Sequence, residues 1–121
     1  MRLIQYTDVE ANLVGVEGAK HVTMRMLISE PDGAQNFRMR FFEVGPGGAT
    51  PYHQHPSEHE VFVIEGEGAC VDEGRKEHPL RPGSAVFIPP NEWHCFANKG
   101  KAALKFLCLV PTEEVRDWRE Q

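Results

Sequence analysis

Several things are scarce in this chain, and each scarcity removes a class of function. Basic residues are outnumbered, with 13 Lys and Arg against 18 Asp and Glu and a formal net charge of -5. A nucleic-acid binder needs clustered positive charge to neutralise phosphates, so that class is set aside. No apolar run approaches the ~18 residues of a membrane span. The opening Met1-Arg2-Leu3-Ile4-Gln5-Tyr6 lacks the apolar stretch and small-residue cleavage site of a secretory signal. Cysteine is rare: Cys70, Cys95 and Cys108 are odd in number and form no CxxC pair. A disulfide framework is thereby disfavoured, and reduced thiols in a cytoplasm are expected. Gly47, Gly48, Gly66 and Gly83 read as turn residues, because no strand-to-helix junction follows them to cradle a phosphate. Neither a Ser/His/Asp order nor a pair of catalytic carboxylates stands out.

What is present reads as one domain over residues 1–121, long enough for a real core and too short for two. Turn chemistry recurs at short intervals: Pro31-Asp32-Gly33, Gly45-Pro46-Gly47-Gly48, Asp72-Glu73-Gly74, Arg81-Pro82-Gly83, Pro89-Pro90-Asn91 and Asn98-Lys99-Gly100. Between these lie runs rich in Val, Ile, Phe and Leu: Val22 to Ile28, Phe37 to Val44, Val61 to Ile64, Ala85 to Ile88 and Leu104 to Val110. Many short strands at this spacing predict an all-β sandwich or barrel. The tail alone reads as helix, with Thr112 capping Glu113 to Arg119 and Val115 and Trp118 sharing a face.

Two strands are apolar on both parities. Phe37, Met39 and Phe41 oppose Phe42 and Val44, while Leu107 and Leu109 oppose Phe106, Cys108 and Val110. A solvated outer sheet face should alternate cleanly with polar residues. The excess predicts that the outer face is covered, and a second copy of the chain, in a homodimer, would cover it.

The densest chemistry is the run Tyr52-His53-Gln54-His55-Pro56-Ser57-Glu58-His59-Glu60. His53 and His55, at i and i+2 on extended backbone, point the same way, and His59 can fold back to the same point. Imidazole is a common metal ligand, so a metal site is the first hypothesis. Further on, His94 follows the turn Pro89-Pro90-Asn91-Glu92-Trp93, whereas His21 and His78 sit in polar surroundings outside the pattern. Glu58 and Glu60 are candidates to accept from ligand N–H groups. Tyr52 and Trp93 flank ligands at a pocket rim.

In the order and spacing of Gly47, His53, His55, His59 and Gly66, then Gly83, Pro89, Asn91, His94 and Asn98, the chain resembles the two motifs of the cupin superfamily. His59 stands where that family usually has a metal-binding carboxylate. The alternative, Glu60, shortens the distance to Gly66 and alternates to the opposite strand face. Asn91 replaces a glycine, a mild change because Asn tolerates left-handed backbone.

HxHPxEHE, with Phe37 to Phe42, Pro90 to His94 and Phe106 to Pro111, is similar to the small single-domain cupins with four histidine ligands, including manganese-binding ones. The resemblance implies a cupin-type jelly-roll barrel with a metal in its mouth, ligated by His53, His55, His59 and His94. Strand parity allows Arg40 to project inward as an anion anchor, the ordinary alternative being an exposed or ion-paired arginine. It also allows Phe106 and Cys108 to face the same pocket, the alternative for Cys108 being a small buried hydrophobe, with Cys95 structural. Four neutral imidazoles leave a divalent ion its full charge, and an octahedral ion keeps two further positions. Ligand type alone favours Zn, Cu, Ni or Fe, while the resemblance points to manganese. The expected function is a metal-dependent oxidoreductase, dioxygenase-like, acting on a small molecule. A redox-neutral isomerase or decarboxylase and a non-catalytic metal or ligand-binding module are the alternatives.

Overall fold

The structure is a computed structural model and describes residues 1–113. The predicted C-terminal helix, apart from Glu113, lies outside the described residues. Nine strands follow in order: β1 Asn12–Leu13, β2 Lys20–Ile28, β3 Phe37–Ala49, β4 His59–Glu65, β5 Gly68–Val71, β6 Glu77–Leu80, β7 Ala85–Ile88, β8 Cys95–Asn98 and β9 Leu104–Pro111. All pairings are antiparallel, in the order β6-β5-β8-β3-β9-β4-β7, with β2 also on β3 and β1 on β2. The five apolar runs became β2, β3, β4, β7 and β9. The other four strands carry weak local signals: β1 has two residues, β5 begins Gly-Ala, and β6 contains Pro79. Proline there is tolerated because β6 ends the sheet, where a missing N–H breaks no ladder.

β3 is the spine, and one device lets it serve two halves of the sheet. Its register against β2 jumps from Val22↔Val44 to Lys20↔Ala49, so Gly45-Pro46-Gly47-Gly48 bulges out opposite His21. A bulge of this kind bends and twists its strand. Gly47 takes φ +77, and a Cβ at Gly48 would collide with the Lys20 carbonyl oxygen, so the glycines are required there. Beyond the bend, Ala49 pairs with Ala97 of β8, and Thr50 N–H continues the contact to the Phe96 carbonyl at 2.9 Å. The sheet thus curls round on itself.

Inside the curl, cross-strand rows interlock: Phe42↔Phe106↔Val63 and Arg40↔Cys108↔Val61. Val22, Val44, Val63, Leu104 and Phe106 are essentially solvent-free, each worth about 2 kcal/mol of apolar burial. On the outer face, Phe41 is buried by its own chain, because Tyr6 stacks on it at 4.3 Å. Arg25 pins that segment by donating to the Val9 carbonyl at 3.0 Å. The rest of the outer row is open: Phe37, Phe62 and Phe87 are about half exposed or more, beside Met39, Leu107 and Leu109. The expected outer covering is therefore intramolecular over Phe41.

Candidate metal centre

The segment after β3 runs beside the entry to β8 and brings two histidines face to face. His53 and His94 form a backbone bridge, His53 N–H to the His94 carbonyl at 3.1 Å and His94 N–H back at 2.9 Å. His55 is tied down one turn further on, where its carbonyl accepts the Asn91 N–H at 2.8 Å. Asn91 achieves this with φ +66, the left-handed conformation its motif position requires. One ring nitrogen from each of His53, His55 and His94 lies within 4.8 Å of the other two. The ring centroids of this trio are mutually 5.0 Å apart.

Backbone carbonyls orient two of these rings. His55 Nδ1 lies 2.7 Å from the Ser57 carbonyl, and His94 Nδ1 lies 2.7 Å from the Glu92 carbonyl. A carbonyl only accepts, so Nδ1 carries the proton in each case and Nε2 keeps the lone pair. Sequence reasoning looked to Glu58 and Glu60 for this role and missed both carbonyls, which side-chain chemistry does not reveal. Glu60 sits on the outer face, opposite Leu109 and Phe87.

His59, at the start of β4, stands beside the trio and outside that three-nitrogen group. Its ring stacks on His55 at 4.1 Å and is 6.0 Å from His94. Its Nε2 faces Arg40 Nη2 at 3.5 Å, and its Nδ1 faces Cys108 Sγ at 3.5 Å. Arg40 Nη2 also donates to Cys108 Sγ at 3.1 Å, and its guanidinium lies 5.0 Å from the Phe42 ring centre. These contacts follow from register: Arg40 is directly opposite Cys108, and Cys108 opposite Val61, two residues from His59.

A cavity of about 210 Å³ opens onto His53, His59 and His94 and also onto Arg40, Cys108 and Phe106. Its walls include Phe42 and Phe96, and Val14 and Val16 close one side from the N-terminal segment. That closure rests on the Val14 N–H donating to the Val22 carbonyl at 2.9 Å, which continues the β1–β2 pairing. Two larger hollows on the outer face share Glu60 and Leu109, one of them also lined by Phe62, Phe87 and Leu107, and neither has a histidine among the described residues. The histidine cluster borders the smaller, inner one. His21 and His78 lie elsewhere, His78 bonded to Asp72 at 2.8 Å. Tyr52 and Trp93 stack on each other at 5.5 Å and neither is among the described residues that line the inner cavity, Tyr52 donating instead to the Asp72 carbonyl.

Electrostatics disfavour charge on three of the rings, His53, His59 and His94. Burial, then the neighbouring His94, His55 and Arg40, lower the His53 pKa to about 4. Burial and Arg40 lower His59 to about 2, and burial lowers His94. Burial also pushes the Cys108 thiol up, against the pull of Arg40, so it remains a protonated thiol at neutral pH. Among the described residues the cavity lining offers no carboxylate. Neutral imidazoles with defined tautomers on a rigid frame are a donor set that fits a divalent transition metal. Cys70, Cys95 and Cys108 are all free and buried.

Comparison with known proteins agrees with the site. The family model of the Cupin domain matches residues 40–110. The solved polyketide cyclase RemF from Streptomyces resistomycificus superimposes with a TM-score of 0.88 at 41% identity, covering 93% of this chain and 80% of that one. The oxalate-binding protein of Thermotoga maritima is 31% identical over 104 residues, 83% of this chain and 82% of its own length. A 1-methylthio-D-xylulose 5-phosphate methylsulfurylase from Rhodospirillum rubrum is 39% identical over 75 residues, 62% of this chain. The match spans about half, 47%, of that longer protein. The curled antiparallel sheet and these likenesses together give a jelly-roll barrel.

Proposed function

The chain belongs to the cupin domain family, and from that premise we propose that it is a metal-dependent enzyme acting on a small molecule. In this reading His53, His55 and His94 hold one divalent transition metal, with His59 as the fourth ligand. The observation that carries it is the convergence of three ring nitrogens beside an apolar-walled cavity. Motif spacing and the stacking of His59 on His55 support the fourth position. Resemblance to four-histidine cupins makes manganese the first metal to test, followed by Fe, Zn, Ni and Cu.

When bound, the ion supplies Lewis acidity toward an oxygen of the substrate. The remaining work belongs to the chain. Ser57 and Glu92 carbonyls fix the tautomers of His55 and His94. Neutral donors leave the ion's charge uncancelled, and Phe42, Phe96 and Phe106 give the cavity apolar walls, which strengthen electrostatic contacts beside them. These features suit redox-neutral chemistry on a carbonyl- or carboxylate-bearing molecule. The similarity to a polyketide cyclase and to an oxalate-binding protein supports that substrate class.

Oxygen-dependent, dioxygenase-like oxidation at the same centre is the second reading. It is favoured by a cavity of about 210 Å³, which has room for a small substrate together with dioxygen. Elemental analysis of protein purified without added metal comes first, followed by turnover of enolisable polyketones with and without oxygen. Equal conversion in both, abolished by His55→Ala, is expected. Stoichiometric oxygen uptake would decide for the second reading. Tight ligand binding without turnover would leave a binding module, and absence of any stoichiometric metal would sink every metal-based version.

The open outer row of Phe37, Phe62, Phe87, Met39, Leu107 and Leu109 supports a homodimer through this face. Light scattering should give twice the mass of the 13.7 kDa chain, and Phe62→Glu should return it to monomer. Three buried reduced thiols accord with a cytoplasmic location. No described helix is long and apolar enough to cross a membrane.

A further inference from the structure

Arg40 is in the wrong company for an arginine whose task is structural. Three other arginines on this framework meet carboxylates, Arg25 with Glu43 at 3.0 Å, Arg38 with Glu30 at 2.6 Å and Arg2 with Asp32 at 3.3 Å, while Arg75 lies over the Tyr52 ring. Among the described residues, no carboxylate lies within ion-pair distance of Arg40. Its nearest acceptors are a thiol sulfur at 3.1 Å and an imidazole nitrogen at 3.5 Å, both weak partners for a guanidinium that is permanently charged. Its Nε is buried with no hydrogen-bond partner. Around it stand aromatic and aliphatic walls. A partly buried cation whose Nε is shut off from both water and a counter-charge is costly, and a planar anion accepting from its fork would offset that cost.

From this we infer that Arg40 is an anion anchor and that the cavity takes a small molecule with a planar oxyanion, a carboxylate or enolate. The inference rests on reading this cavity as the substrate site, and it names the substrate class. Arg40 shares the cavity with His53, His59 and His94, so one oxyanion can be addressed from both sides. The rest of the ligand packs on the rings of Phe42, Phe96 and Phe106. At about 210 Å³ the space is smaller than drug-sized pockets, which limits the body to about one or two rings.

Arg40 could instead serve only to hold His59 and Cys108 in place, and a charge-matched pair of probes separates the two roles. Benzoate and benzamide have nearly the same shape and differ in charge. Their affinities are measured by calorimetry for protein as purified and after chelation. Wild-type protein is expected to bind benzoate at least about tenfold more tightly than benzamide in both states, the worth of a charge-assisted hydrogen bond. In Arg40→Met the ratio should fall to near one while metal content stays at the wild-type level. Arg40→Lys, which keeps the charge and loses the fork, should retain part of it.

Equal wild-type affinities, no binding of either probe, or a full ratio in Arg40→Met would each overturn the assignment. Should Arg40→Met not fold, the wild-type ratio and Arg40→Lys decide. A wild-type protein that binds no metal would end the enzymatic reading, yet the ratio in metal-free protein would still judge Arg40.

Discussion

At the scale of single residues, the four histidines are not equivalent. Two have Nδ1 occupied by a carbonyl, His53 is bridged to His94 through backbone, and His59 shares its two nitrogens with Arg40 and Cys108. His55→Ala is therefore expected to abolish stoichiometric metal binding. His59→Ala should weaken it at least about tenfold, in line with losing one ligand or its support. Glu60→Ala, on the outer face, should change nothing; loss of metal in that variant alone would show that the carboxylate is the ligand.

Protonation of the same rings sets an acid limit. His53 is lowered from 6.5 to about 4 and His59 from 6.5 to about 2, burial being the main cause. An unfolded chain takes up these protons near pH 6.5 while the folded one resists them. Stability of chelator-treated protein should thus be full above that value and decline as pH falls toward 4. Glu30, held at about 2 by Arg38, adds a loss of the same sign between about 4.5 and 2. Calorimetric melting from about pH 8 to about pH 3 checks both losses, and a melting temperature constant down to about pH 5 would contradict the histidine part.

At the scale of elements, the junction of β8 with β3 is pinned by one buried side chain. Asn98, buried in β8, donates to the Val44 carbonyl at 2.8 Å and to the Ala102 carbonyl at 2.8 Å, and accepts from Gly100 N–H at 2.8 Å. Asn98→Ala leaves these groups unpaired and should cost about 2 kcal/mol, measured by denaturant unfolding, with metal stoichiometry unchanged under native conditions. Asn98 closes the second histidine motif in sequence, and its place there reflects this strand junction, not contact with a metal. Similarly, a Cβ at Gly66 would strike the Ala103 carbonyl oxygen, and its φ is +87. That motif position is a packing requirement too.

For the whole molecule, metal and fold should be coupled. A metal that binds only the folded chain stabilises it by about 2.7 kcal/mol at a hundred times its Kd, raising Tm by roughly 10 °C. Differential scanning calorimetry with and without chelator should show that gap in wild type and none in His55→Ala. A gap persisting in that variant would place the metal elsewhere.

Some of this was legible along the chain. Period-two placement made His53 and His55 point together, and apolar runs bounded by turn residues announced β2, β3, β4, β7 and β9, because both signals act over a few residues. β5, β6 and β8 were not legible, since small residues and a proline become strand only when a neighbour supplies the ladder. The sequence by itself determined the family, the barrel class and the candidate ligands. Only the tertiary structure decided that Arg40 stands over Cys108, 68 residues away, and against His59. It also decided that His59 stacks beside the trio and that Tyr6 covers Phe41. Such neighbours depend on strand register and on the bend in β3, which are set by packing the whole sheet at once.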